Sequence, residues 1–318
     1  MSILDSLRQH SLVVADTGDL EAIKRYQPQD ATTNPSLLLK AFELPGHQDL
    51  IDDVLAASRN EGGMLDERVS RTADRLAVAM GSKIVEVVPG RVSTEVAARL
   101  SFDTQASIHK AHELIRLYGR YGVERDRILI KLAATWEGIR AAELLEREGI
   151  QCNLTLLFSD AQAQACFDAG VFLVSPFVGR VSDWYRQETG QEYSPDEDPG
   201  VRFVHDVCER AAAGSYGTTV MGASFRTTGQ VLALAGCPRL TISPALLEEL
   251  DASEEGITPS ISQAHIEEFK LLPLSEAEFR WEHNEDAMAT EKLAEGIRRF
   301  ADDQRKLESL IAERLTTK

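Results

Sequence analysis

The amino-acid sequence predicts an α/β chain closed into a (β/α)8 TIM barrel, with an additional C-terminal helix. Three observations lead there. Short β-rich runs recur eight times along 318 residues. Several are almost wholly apolar instead of alternating, as parallel strands covered on both faces are. The stretches between them carry helical periodicity and charge, the mark of repeated βα units. A doubly wound sheet is the alternative for such a pattern. No repeat, low-complexity tract or linker divides the chain, so residues 1–318 are read as one domain.

The predicted strands are LVVADTG (12–18), DATTNP (30–35), KIVEVVPG (83–90), ILIKLAA (128–134), NLTLLFS (153–159), VFLVSPFVG (171–179), TTVMGAS (218–224) and RLTISPA (239–245). Helical periodicity marks 50–58, 104–119, 137–149, 161–169 and 202–213, and Asp19–Tyr26 has room for two helical turns. The acidic, Gly- and Pro-containing stretch 186–200 reads as an exposed loop, and SEEGITPSIS (253–262) as irregular. From about 286 an amphipathic helix runs to the end. Its stripe of Leu293, Ile297, Phe300, Leu307, Leu310 and Ile311 is expected to cover the barrel.

Bulk composition narrows the function. The chain is 43% hydrophobic and 27% charged, enough for a sizeable core. A net charge of −17 argues against nucleic acid or an anionic membrane as partner. The same charge repels phosphorylated metabolites, so a phosphate-ester substrate requires local arginines. No apolar run approaches the ~20 residues that cross a bilayer. The start, MSILDSLRQH, lacks the basic-then-apolar pattern of a secretion signal, so the expected location is cytoplasmic. Cys152, Cys166, Cys208 and Cys237 are scattered, as buried thiols of a reducing compartment are.

One residue breaks the apolar pattern. Lys131 stands inside ILIKLA, where Leu129, Lys131 and Ala133 share a face and point into the barrel, while Ile128, Ile130 and Leu132 face the helices. Snorkelling to water explains a lysine at the edge of an apolar stretch, such as Lys83, but not one flanked by apolar residues on both sides. A free lysine is neutral only about once in ~2,500 at pH 7. Burial that lowers its pKa by about 3 units costs roughly 4 kcal/mol and makes a large fraction of the amine nucleophilic. Such a lysine burdens a fold and serves amine catalysis through a Schiff base.

Polar residues recur near the ends of the other runs. Asp16 ends the first, sharing a face with Val14; Asn34 ends the second ahead of Pro35. Asn153 and Thr155 share a face in the fifth run, and Ser175 and Phe177 in the sixth. Glu95 follows the third, in PGRVSTEV. Singly, each has a plain structural use: Asp16 as a helix cap, Asn34-Pro35 as a turn, Thr155 as a good strand residue, Glu95 as an acid in a helix first turn capped by Ser93. Together, one per strand end around a buried lysine, they form the layout of a barrel active site. Arg180 and Arg226 follow the sixth and seventh runs, where barrels often build phosphate sites, and Ser224 and its neighbouring backbone add donors.

These segments resemble the class I transaldolases. VVADTGD, QDATTNPSLLLKA, VPGRVSTEVAARLS, ILIKLAATWEGIRAAE, CNLTLLFS, VSPFVGRVSDWY, MGASFR and KLAEGIRRFADDQRKLE carry the likeness over nearly the whole chain; DATTNPS with ILIKLA is the most specific part. The resemblance implies a barrel of the class I aldolase type, no cofactor and no metal. It also implies a transferase of the pentose shunt that moves dihydroxyacetone from sedoheptulose 7-phosphate to glyceraldehyde 3-phosphate, giving erythrose 4-phosphate and fructose 6-phosphate. By the same resemblance Lys131 forms the imine and Asp16 acts as general base, while Glu95 and Thr155 move protons through a water. Asn34, Asn153 and Ser175 hold the three-carbon unit, and Arg180, Arg226 and Ser224 bind phosphate. Phe177 stands where the related fructose 6-phosphate aldolases, which are shorter chains, look to have tyrosine. A homodimer is typical of similar enzymes. Two departures touch the rim: Arg226-Thr227-Thr228 replaces a more usual Arg-Asn pairing, and the polar segment near 251–262 is shorter.

Two other readings compete. A metal-dependent aldolase would need ligands at strand ends, but His10, His47, His109, His112, His205, His265 and His283 all fall outside the eight runs. A non-catalytic barrel would be expected to lack Lys131, Asp16 or Glu95, and all three are present.

Overall fold

The structure is a computed structural model and describes residues 1–59, 61–254, 256–261 and 272–317. His265 and Ser262 therefore lie outside the described residues. Eight parallel strands close in sequence order, β1 through β8 and back to β1. Helix α1 (Ile3–Leu7) precedes β1 (Leu12–Asp16), α2 (Leu20–Tyr26) and β2 (Asp30–Thr32). Helices α3 (Pro35–Glu43), α4 (Gln48–Arg59) and α5 (Leu65–Val85) separate β2 from β3 (Val92–Glu95). The series continues with α6 (Thr104–Arg120), β4 (Ile128–Ala133), α7 (Trp136–Arg147), β5 (Cys152–Leu157), α8 (Asp160–Asp168) and β6 (Leu173–Pro176). Then come α9 (Gly179–Thr189), α10 (Pro199–Ala213), β7 (Thr219–Gly222), α11 (Thr228–Leu232), β8 (Arg239–Ile242), α12 (Pro244–Ala252), α13 (Glu276–Glu285) and α14 (Ala287–Thr316).

Strand β3 lies later than the sequence suggests. The run KIVEVVPG is not a strand: Lys83 to Val85 end α5, and the rest is the loop before β3. Helix α5 is buried on two sides, Val78 and Ile84 packing with the strands and Leu76, Ala77, Ala79 and Met80 with α3, α4 and α14. Tertiary packing thus overrides the β-propensity of its last residues. Lys83 is on this helix, paired with Glu86 at 2.9 Å. Glu95 is consequently the last residue of β3, and Ser93 lies inside the strand instead of capping a helix. The stretch 186–200 is likewise not all loop, because α9 continues to Thr189 and ends on Gly190 at φ +68°, a conformation that costs glycine little.

Inside the barrel Val14, Leu129, Leu173 and Met221 form an apolar layer. Ile128, Ile130 and Leu132 pack outward against the helices, as the alternation predicts. Helix α14 makes two contacts, one over the barrel mouth and one against α3, α4 and α5. Leu293, Ile297 and Phe300 pack with Leu156, Phe158 and Phe177, and Leu307 and Ile311 join Leu38, Phe42, Ile51 and Leu76. Gly296 allows the first contact. A Cβ there would lie 2.6 Å from Leu156 Cδ2.

Candidate active site

Strand register sets the site. Glu95 is paired with Lys131, Lys131 with Asn153, and Ala133 with Thr155. On the opposite wall Asp16 is paired with Thr32. All of these but Asn153, the second residue of β5, occupy the C-terminal halves of their strands, where barrel sites form. A cavity of about 270 Å3 opens there. Asp16, Asn34, Lys131, Thr155, Ser175, Phe177, Arg180, Ser224 and Arg226 all line it. Glu95 and Asn153 are behind the lining.

Lys131 is 5% exposed. Its Nζ lies 3.2 Å from Glu95 Oε2 and donates to the Thr33 carbonyl at 3.3 Å. The Phe300 ring, brought by α14, has its centroid 6.0 Å away. Burial raises the Glu95 pKa above its usual value, and the Lys131 ammonium opposes that rise. A carboxylate that binds a proton more readily is a better recipient for one from a neighbouring amine. The Glu95–Lys131 approach is an ion pair without hydrogen-bond alignment, and Glu95 Oε2 and Thr155 Oγ1 are buried with no hydrogen-bond partner among the described residues. Just past Thr155 the strand register shifts, and Leu156 takes φ +55°. A leucine adopts that left-handed conformation only under constraint from its surroundings.

The remaining polar groups divide between lining and support. Asp16 Oδ1 accepts from Thr32 Oγ1 at 2.9 Å, and Thr32 meets Thr241 at 2.9 Å. Asn34 caps α3, its Oδ1 accepting from the Leu37 amide at 2.9 Å, so the capping use and the cavity position coexist. Asn153 is fully buried; its Nδ2 donates to Ser93 Oγ at 3.1 Å and its Oδ1 accepts from Ser175 Oγ at 2.7 Å. It therefore holds Ser175, which does face the cavity.

Guanidiniums gather at the rim. Arg180 lies between two rings, 5.0 Å from the Phe177 centroid and 5.4 Å from that of Phe300. Burial, then the charges of Arg226 and Arg299, lower its pKa, which marks a spot short of negative charge. Arg226 is held by Asp183 at 2.8 Å. Ser224 takes φ +64° and its carbonyl accepts from the Gly179 amide at 2.7 Å. Arg299 and Phe300 also line the cavity and were not expected there. Their helix reads as barrel cover, and nothing in its stripe distinguishes the turn that reaches the site. Thr32, Thr241 and Ser243 were missed as well, although Thr32 shares the parity of Asn34 and Thr241 that of Ser243.

Among the described residues no histidine or cysteine lines this cavity. Among the described residues one trio of metal-ligand type, His205, Asp206 and Glu209, lies on α10, outside the lining. No helix of the described residues is long and apolar enough to cross a membrane.

A closed parallel barrel with a lysine, carboxylates and arginines gathered around a cavity at the C-terminal ends of its strands has the architecture of a barrel enzyme. The family model for transaldolase and fructose-6-phosphate aldolase matches residues 13–311. A transaldolase from Chromohalobacter salexigens is 67% identical over 315 residues, covering 99% of this chain and all of that one. One from Aeromonas salmonicida is 57% identical over 98% of this chain and 99% of its own, and one from Shewanella woodyi 55% over 99% of each. The chain belongs to the transaldolase/fructose-6-phosphate aldolase family. Within it the protein stands with the transaldolases, as a transferase of that type.

Proposed function

We propose that the protein transfers a dihydroxyacetone unit from fructose 6-phosphate or sedoheptulose 7-phosphate to an aldose phosphate, with Lys131 as the nucleophile. The observation that carries this is the Lys131 amine, buried beside Glu95 at 3.2 Å and facing a cavity rimmed by arginines.

The neutral amine adds to the C2 carbonyl of the ketose, and the carbinolamine loses water to give a protonated imine. Glu95 takes the lysine proton, and with Thr155 it passes protons through a water during dehydration; both have unpaired hydrogen-bonding capacity here. Asp16 removes the C4 hydroxyl proton. The C3–C4 bond breaks, its electrons move to the imine nitrogen, and an aldehyde leaves. What remains on Lys131 is a neutral enamine, which attacks the acceptor aldehyde and reverses the sequence. Asn34 and Ser175 hold the hydroxyls of the three-carbon unit, with Asn153 supporting Ser175. Arg180, Arg226, Ser224 and Arg299 take the phosphate.

Transfer requires the enamine to outlast departure of the first aldehyde. The Phe177 ring supplies no proton, so water is not helped to quench it. The whole chain acts as one unit in this reading, because α14 brings Arg299 and Phe300 to the cavity. A cytoplasmic location and a homodimer go with it; sedimentation tests the latter.

Borohydride reduction in the presence of fructose 6-phosphate, followed by peptide mapping, is the test. The expected product is a three-carbon adduct on the peptide containing Lys131. A label on another residue, or none in folded protein, overturns the proposal.

A further inference from the structure

The Arg226 side chain is engaged before any substrate arrives. Its Nε and Nη2 both donate to a single oxygen of Asp183, Oδ2, at 3.1 and 2.8 Å, while Nη1 points to Ser224 Oγ at 3.5 Å. We propose that Asp183 is a positioning residue of the phosphate subsite, fixing Arg226 by its Nε edge so that the Nη1 side, next to Ser224, meets the substrate phosphate. The proposal rests on Arg226 being a phosphate ligand.

Several features of the chain converge on this arrangement. Asp183 follows Arg180 by three residues on α9, so both emerge from one face of the helix. One helix thereby delivers a guanidinium to the rim and a carboxylate to the arginine of the next loop. The two loops are locked together, the Val178 amide donating to the Ala223 carbonyl at 2.8 Å and the Gly179 amide to that of Ser224 at 2.7 Å. A Cβ on Gly179 would lie 2.7 Å from Arg226 Cγ and 2.4 Å from the Ser224 carbonyl, so the arginine stem lies against the bare start of α9. Stem and head are both constrained.

Holding the fold does not account for the pair. The Arg226 and Asp183 side chains are 40% and 38% exposed, and ion pairs this open to water add little stability. Electrostatics of the rim does account for it. The charges of Arg226 and Arg299 disfavour that of Arg180, and like charges this close repel, so an Arg226 without an anion at hand is pushed toward solvent. Asp183 prevents that, and an arginine already fixed loses less rotamer freedom when phosphate binds. The second Asp183 oxygen turns toward Arg186 Nη1 at 3.9 Å, which shields the incoming phosphate from part of the carboxylate charge.

The test uses steady-state transfer from fructose 6-phosphate to erythrose 4-phosphate, with inorganic phosphate as competing inhibitor. Asp183→Ala is expected to raise KM for fructose 6-phosphate and Ki for phosphate together, by about five- to tenfold, with kcat within about twofold. Asp183→Asn keeps an oxygen for the Nε edge and is expected to restore most of both. Asp183→Ser serves as a second truncation with the same expectation as alanine. In an Arg226→Ala background, Asp183→Ala is expected to change nothing further. A loss confined to kcat and thermal stability, unrescued by asparagine, would mean a structural role and overturn the proposal. Unchanged or lowered KM and Ki in Asp183→Ala, with both raised in Arg226→Ala, would overturn it while leaving the arginine a phosphate ligand. If Arg226→Ala leaves both constants unchanged, the phosphate reading of Arg226 fails, and the role of Asp183 with it.

Discussion

An ion pair is buried at each end of the barrel, and the two are built to opposite purposes. At the N-terminal end, Arg239 opens β8 and pairs with Asp30, which opens β2. Asp30 also accepts from the Arg91 amide at 2.7 Å, and the guanidiniums of Arg91 and Arg239 stack on Phe172 at 4.8 and 5.6 Å. Gly90 makes room, since a Cβ there would lie 1.8 Å from Asp30 Oδ1. The cluster is packed and partnered. At the C-terminal end Lys131 and Glu95 are as deeply buried, but the pair is poorly aligned and borders a cavity of about 270 Å3. Burial alone therefore does not mark chemistry. An arginine keeps its proton at any working pH, whereas a lysine can lose one. A fully hydrogen-bonded arginine pair staples the barrel, whereas a lysine beside open space, with an unaligned carboxylate next to it, has the surroundings that amine chemistry requires.

Substitutions at the two ends are expected to separate activity from stability. Lys131→Met is expected to cut turnover by about 10⁴-fold or more and abolish borohydride labelling. Urea denaturation is expected to show a smaller loss of stability than at Arg239, because burial raises the Glu95 pKa, which eases protonation of a carboxyl left without its cation. Arg239→Met leaves Asp30 buried without its cation. It is expected to cost about 3–5 kcal/mol in the same denaturation experiment, with unchanged kcat per folded molecule. If Arg239→Met instead silenced a fully folded enzyme, the division of labour would be wrong.

A smaller effect sharpens the comparison through pH. Glu95 must be ionised to accept the lysine proton, so activity falls as pH drops through its pKa. Burial raises that pKa, so the acid limb of kcat/KM is expected above the ordinary glutamate value of 4.5. Glu95→Gln is expected to lower kcat about 10²-fold and flatten that limb. A limb that persists in Glu95→Gln belongs to another group.

The same contrast explains what could be read from the chain. Lys131 was legible because a single charge interrupts an apolar run, and the parity of Leu129 and Ala133 fixed its direction. Asp16 and Asn34 were legible because each ends a run, and Thr155 and Ser175 because they share strand faces with Asn153 and Phe177. The strand carrying Glu95 was not, because an apolar helix end, KIVEVV, resembles a buried strand when only short windows are compared. The Arg239–Asp30 pair escaped notice because each residue stands at the edge of its run, where a charge is unremarkable. Arg299 and Phe300 escaped because no local pattern reports that a helix 170 residues downstream of Lys131 crosses the mouth of the barrel. Asp183 stood in VSDWY without any signal that its partner was an arginine on the next loop.

The position of α14 has a consequence for biosynthesis. All eight strands precede residue 243, yet the wall formed by Arg299 and Phe300 comes from α14, which follows them in the sequence. During translation the barrel can close around Lys131 well before that helix leaves the ribosome. A nascent chain would hold Lys131 in an unroofed cup until Arg299 and Phe300, in the middle of α14, had docked. Terminating the chain before Arg299 would thus leave a barrel with strands complete and mouth unfinished.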